Sequence, residues 1–243
     1  LELRNVLPTI GSKELVALLP TLLGLGERDV VIHPRAAYPT YEIGARVAGA
    51  IPFASDEPDE WPAGTRLVWL NSPGNPDGGV LSVEQLAHAV ARARELGAVI
   101  AGDECYAELG WAGSWATEPI PSILDPRVTG GDPTGVQAAM LVALGDDAHV
   151  AAQKELYRAR RAALKPALEA AGFTIDRSEA GLYLWATEGL DAWDSMGRLA
   201  DLGILAGPGV FYGEHFPQHV RLSLTATDER IASAASRLRS TVS

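Results

Sequence analysis

The chain has 243 residues, 47% hydrophobic and 21% charged, enough to bury a core in one or two domains and too apolar for wholesale disorder. A net charge of −11 argues against a nucleic-acid or anionic-membrane surface, and no stretch is long and apolar enough to span a bilayer. Cys105 is the single cysteine, so no intrachain disulfide can form and a reducing cytoplasm fits best. The first fourteen residues, LELRNVLPTIGSKE, lack the zones of a signal peptide. The first residue is Leu, which fits a fragment or an ordered portion of a longer chain.

Apolar residues at helical spacing predict a helix over 12–26. A β-branched run predicts a strand over 29–33, followed by a loop and a second helix over 41–50. RLVWL (66–70) reads as a strand and leads into the loop LNSPGNPDGGV. Residues 82–97 read as a helix with Ser82 as N-cap and Gln85 closing a capping box. AVIAGDECY (98–106) begins as a buried strand and turns polar. Strands alternating with helices predict a mostly parallel sheet whose ligands sit beyond the strand carboxyl ends. Tyr38, Asn71, Asn75, Asp103 and Tyr106 fall at those ends. Residues 136–172 read as two helices meeting near Gly145. Short strands follow in FTIDR, GLYLWA, GILAGPG and HVRLSLT, with a closing helix from about Asp228. The expected division is a large domain over 1–145 and a smaller α+β domain over 146–243.

Several residues have the chemistry of a site. Gly11, Ser12 and Lys13 open a helix whose free N–H groups suit an anion; a plain Ser N-cap gives the same pattern. Asp103 ends an apolar strand and needs a partner, either a protonated pyridine nitrogen, an arginine or a helix end. Tyr106 suits a hydrogen bond to a phenolate oxygen, or is a half-buried aromatic with a wet tip. Tyr38 suits stacking on a flat ring, or core packing. Arg221 alternates with Val220 and Leu222, and suits bidentate capture of a carboxylate, or is a solvent-facing strand arginine. Glu104 and Cys105 read as structural, Cys105 as a small core residue. His215 and His219 read as surface residues. The histidines have no metal-site spacing, and no G-x-S-x-G or P-loop pattern occurs.

Taken in order, these motifs resemble the class I/II aminotransferases, which use pyridoxal 5'-phosphate (PLP) on fold type I. NSPGNPDGG is similar to the family's N-P-x-G loop and DECYAEL to its D-E-x-Y motif. IGSKEL fits the phosphate turn, HVRLSL the substrate arginine, and GLYLW with GPGVFYG the small domain. GDECYAELGW, EAGLYLWAT and LTATDERI are most similar to the actinobacterial succinyldiaminopimelate aminotransferase branch. The resemblance implies an α/β fold with a mostly parallel sheet between helices and a smaller C-terminal α+β domain.

It also implies roles. Asp103 would hold the pyridinium nitrogen, Asn75 and Tyr106 the 3'-oxygen, Tyr38 the ring face, and Gly11, Ser12 and Lys13 the phosphate. Arg221, with Asn75, would clamp the substrate carboxylate. The implied reaction moves an amino group between N-succinyl-LL-2,6-diaminopimelate and 2-oxoglutarate, for lysine and diaminopimelate biosynthesis, in a cytoplasmic homodimer. A PLP-dependent β-lyase and a non-catalytic PLP-fold protein are the alternatives. One departure stands out. The family's catalytic lysine lies in an S-x-x-K segment after D-E-x-Y, but here RVTGGD, ending at Asp132, runs straight into PTGVQAAM. The chain's lysines are Lys13, Lys154 and Lys165, and none occupies that position. A few dozen residues are missing between Asp132 and Pro133 relative to the family pattern, as is its N-terminal arm.

Overall fold

Apolar, β-branched Val30–His33 forms β1, buried along its whole length and therefore central. In the computed structural model, which describes residues 11–111 and 145–241 with Thr9 and Val142, β1 lies between β2 (Ile51–Ala54) and β3 (Thr65–Asn71). β3 pairs in turn with β4 (Val99–Asp103), giving the parallel order β2-β1-β3-β4. α1 (Ser12–Leu22) and α2 (Thr40–Val47) cover one face through Val16, Leu19, Tyr41 and Ala45 against Val31, Leu67 and Trp69. α3 (Val83–Leu96) covers the other through Ala89 and Ala93 against Ile32, Val68 and Leu70.

The sequence signals of α3 are realised in full. The Ser82 hydroxyl accepts from Gln85 N–H (3.2 Å), and the Gln85 side chain accepts from Ser82 N–H (2.8 Å). Gly97 ends the helix in the left-handed region, φ 67°. β2 was not anticipated; it is a short edge strand containing Pro52, which suits only an edge. β4 corrects the expectation of a buried strand. Its residues are half-buried and Val99 is 42% exposed, because no described strand pairs with its outer edge.

The second sheet is antiparallel, in the order β5-β6-β8-β7: β5 (Thr174–Asp176), β6 (Tyr183–Thr187), β7 (Gly207–Pro208) and β8 (His219–Ser223). α4 (Ala148–Ala170) and α6 (Asp228–Ser240) pack on it together with α5 (Ala192–Asp201). Leu164, Leu168, Leu184, Leu199, Val220 and Leu238 form its core, each side chain contributing roughly 1.5–3 kcal/mol on burial. α5 was not anticipated. Its cap is Asp191, which accepts from Trp193 N–H (2.9 Å), and Ala192, Ser195 and Leu199 face inward. The strand expected in GILAGPG shrinks to the two residues of β7. The helix expected before Gly145 and the Asp132–Pro133 junction lie outside the described residues.

Candidate active site

The register of β3 and β4 sets Asn71 beside Asp103 at the carboxyl end of the sheet. Asn71 Nδ2 donates to the carbonyls of Asp103 (3.0 Å) and Pro73 (3.2 Å), while its Oδ1 accepts from Asn75 N–H (2.9 Å). One side chain thereby ties the following loop to the sheet. Residues 71–76 are all buried, unusual for a connection, and loops need backbone partners when they leave the surface. Residues 177–181, leading into β6, supply them. Ser178 N–H donates to Asp77 O (2.9 Å), and Glu179 and Ala180 N–H both donate to Gly78 O (3.1 and 3.0 Å).

Gly78 sits at φ 68°, and a Cβ there would come within 2.3 Å of Ala180 O, so no side chain fits. From α4, Arg161 donates to Ser178 Oγ (3.2 Å) and Ser178 O (2.8 Å). Burial pushes the Asp77 carboxyl above its ordinary range, against the Gly79 N–H bond and the nearby Arg177 guanidinium.

This clamp carries Asn75 to Arg221. The Arg221 guanidinium donates to Asn75 Oδ1 at 3.1 Å. Its centre lies 3.9 Å from the Tyr183 ring centroid and 4.7 Å from that of Tyr212. The Tyr183 hydroxyl lies 3.5 Å from that of Tyr106, with the rings edge to face. Burial, then the Tyr183 hydroxyl, raises the Tyr106 phenol above its ordinary value. Tyr212 O accepts from Ala37 N–H (2.7 Å), which joins this group to the segment carrying Tyr38.

Asp103 occupies the other half of the site. Its Oδ2 accepts from the Tyr41 hydroxyl (2.6 Å) and its Oδ1 from Cys105 N–H (3.2 Å). Tyr41 is buried, stacked on Trp69 at 5.0 Å and edge to face with Tyr38 at 6.0 Å. Its phenol is driven upward by burial first and the Asp103 charge second, so it stays a donor. The Ser12 hydroxyl is 3.8 Å from Cys105 Sγ, which brings the start of α1 to the end of β4. A cavity of about 230 Å³ opens there, lined by Ser12, Trp69, Asp103, Glu104 and Cys105 among others. The N-cap of α1 is Gly11, without a side-chain cap bond, so the helix start keeps backbone donors for an anion.

Every candidate side chain can thus be located. Asn75 and Arg221 touch directly, and Tyr106 reaches Arg221 through Tyr183. Tyr38 reaches Asp103 through Tyr41, and also lines a cavity of about 300 Å³ with His33, Arg46 and Tyr212. Lys13 is exposed in the first turn of α1. Lys154 lies on α4, as does Lys165, which pairs with Glu169.

Two residues correct the sequence reading. Cys105 is exposed rather than a core residue, because it follows the last strand position of β4. His219 is partly covered rather than on the surface: it lies in β8, bonds Asp176 at 2.8 Å and stacks on Trp185 at 5.0 Å. His215 is exposed as expected. Sequence reasoning did not single out Tyr41, Tyr183 or Tyr212, nor the anchoring role of Asn71. Tyr183 alone carried a signal, since it shares a strand face with the cross-strand neighbours of Arg221. No group of metal-ligating side chains occurs among the described residues.

The arrangement fits PLP. Asp103 accepts from neutral donors, and among the described residues no Lys, Arg or His forms an ion pair with it. A carboxylate so held can accept from a protonated ring nitrogen, and the uncapped start of α1 beside it suits a phosphate.

Comparison with known proteins agrees. The family model for aminotransferase class I and II matches residues 2–129 and 121–238. A 4-dedimethylamino-4-oxo-anhydrotetracycline transaminase of Streptomyces rimosus is 45% identical over 96% of this chain and 76% of its own length. A probable aminotransferase of Mycobacterium tuberculosis is 46% identical over 96% of this chain and 66% of its own length, so the chain spans just under two thirds of that relative. Both alignments run over 279 positions, several dozen more than the chain can fill. Among solved structures, a probable N-succinyldiaminopimelate aminotransferase from Thermus thermophilus superposes with a TM-score of 0.84 at 24% identity, covering 98% of this chain and 78% of that one. The chain belongs to the class I and II aminotransferases, PLP-dependent enzymes of fold type I.

Proposed function

We propose that this chain is the cofactor and substrate framework of an aminotransferase that exchanges an amino group between N-succinyl-LL-2,6-diaminopimelate and 2-oxoglutarate, in diaminopimelate and lysine biosynthesis. PLP, when bound, supplies an electron sink and carries the amino group between donor and acceptor. Asp103 would keep the ring nitrogen protonated, with Tyr41 orienting the carboxylate by its 2.6 Å bond. Gly11, Ser12 and Lys13 would hold the phosphate at the start of α1, Tyr38 would cover the ring, and Tyr106 would donate to the 3'-oxygen. Asn75 would serve that oxygen and the substrate carboxylate, while Arg221 would take the carboxylate in a bidentate fork.

The observation that carries this reading is Asp103, which has no cationic partner among the described residues, at a strand end beside an uncapped helix start. The split family match and the surplus alignment positions support a family lysine segment belonging near Asp132–Pro133. Without that segment the chain would bind PLP reversibly and not turn over; with it, turnover would follow, in a cytoplasmic homodimer.

The substrate assignment rests on motif wording and on the LL-diaminopimelate aminotransferases of 26–29% identity, such as that of Aquifex aeolicus at 29%. The 45% identity to the tetracycline-precursor transaminase favours a second reading, a bulky cyclic ketone as amino acceptor. The two separate when glutamate is given as donor to protein carrying the lysine segment. Amination of N-succinyl-2-amino-6-oxopimelate supports the first reading; amination of the polycyclic ketone alone replaces it.

A further inference from the structure

We infer that Tyr183 is a positioning residue for the carboxylate-binding arginine, and that its hydroxyl links this arginine to the phenol of Tyr106. The inference deepens the reading of Arg221 as carboxylate clamp and rests on it. Tyr183 begins β6 on the face shared with Arg221, while Leu184 and Ala186 turn to the buried core. Its ring belongs to none of the three core clusters. It packs on the guanidinium instead, 3.9 Å from the Arg221 centre to the ring centroid, with Tyr212 also against that group at 4.7 Å.

An unbraced arginine samples many rotamers about its flexible stem. Here aromatic contacts and Asn75 Oδ1 fix its plane, and the guanidinium retains N–H donors for a carboxylate. The same side chain reaches 3.5 Å from the Tyr106 hydroxyl. One tyrosine thus spans the substrate-carboxylate side and the 3'-oxygen side of the site. Its ring and its hydroxyl serve different ends, which makes them separable.

Succinate, a simple dicarboxylate, is the probe, with affinity measured by calorimetry on the PLP-loaded chain. Tyr183→Leu is expected to weaken succinate about tenfold, and to add nothing in an Arg221→Ala background. Tyr183→Phe is expected to keep succinate affinity within about twofold, yet shift the absorbance of bound PLP, which senses donors at its 3'-oxygen. A Tyr183→Leu protein with a lower melting temperature but unchanged affinity overturns the positioning role. If that variant fails to fold, Tyr183→Gln gives the ring-deleted comparison. An unchanged PLP spectrum in Tyr183→Phe overturns the link to Tyr106. Wild-type protein whose succinate binding is absent, or indifferent to Arg221→Ala, overturns the parent reading of Arg221 and this inference with it; binding that requires Arg221 but ignores Tyr183 overturns this inference alone.

Discussion

The two halves of the site are built to different standards of completion. Arg221 is braced by Asn75 at 3.1 Å, by Tyr183 and Tyr212 against the guanidinium, and behind them by a buried loop pinned by residues 177–181. Around Asp103 the support comes from one side. Tyr41 and Trp69 back it, but no described strand pairs with the outer edge of β4, whose residues are partly exposed. Alignments to two relatives run over 279 positions, several dozen more than the chain can fill. The contrast is one of packing: the Arg221 side is held by aromatic rings and a buried loop, whereas among the described residues the Asp103 side is backed mainly by Tyr41 and Trp69.

Gly78→Ala attacks the braced half hardest. The added Cβ meets Ala180 O at 2.3 Å on a left-handed backbone, and a loss of about 2–4 kcal/mol in urea unfolding is expected. A loss below about 1 kcal/mol would show that the clamp yields and that the halves differ less than their contacts suggest. Arg221→Ala comes next, with succinate affinity falling about 10- to 100-fold. Hydrogen exchange sharpens the same contrast, since amides of Val99–Asp103 should exchange about tenfold or more faster than those of His219–Ser223. Equal protection would contradict an open edge.

Two smaller effects concern titration in the parallel-sheet half. Burial holds His33 below its ordinary value of 6.5, opposed by its bond to Pro34 O (2.9 Å). The folded state therefore favours the neutral ring. Stability from this group is complete above 6.5 and is lost as the pH falls through the lower folded value. His33→Asn should flatten the acid side of a urea-midpoint profile between neutrality and mild acid. Cys105 is the mildest test. Burial and then Asp103 push its thiol up to about 11, so alkylation should stay slow at neutral pH although the residue is exposed. Rapid labelling there would mean a less shielded sulfur than the contacts with Ser12 and Asp103 imply.

Much of this was legible in the sequence where the cause is local. The Ser82–Gln85 box, the β-branched runs and the polar residues at strand ends depend on neighbours in the chain, and they appear as expected. Arg221 could be assigned a face by strand alternation; its direct bond to Asn75 could not. What escaped depends on distant partners. Tyr41 looks like any helical aromatic until it reaches Asp103 across 62 positions. Tyr183 reaches Tyr106 across 77. The exposure of β4 was hidden for the same reason, since an apolar run reads as buried whether or not a neighbouring strand exists.

The central claim is that Asp103 and the start of α1 form a PLP pocket in a chain without its lysine. Equilibrium titration of the protein with PLP, followed by borohydride treatment and mass analysis, tests it directly. The account predicts reversible binding, weakened at least tenfold by Asp103→Ala and opposed by inorganic phosphate, with no single lysine trapped. Affinity indifferent to Asp103→Ala, or stoichiometric trapping at Lys13, Lys154 or Lys165, would contradict it.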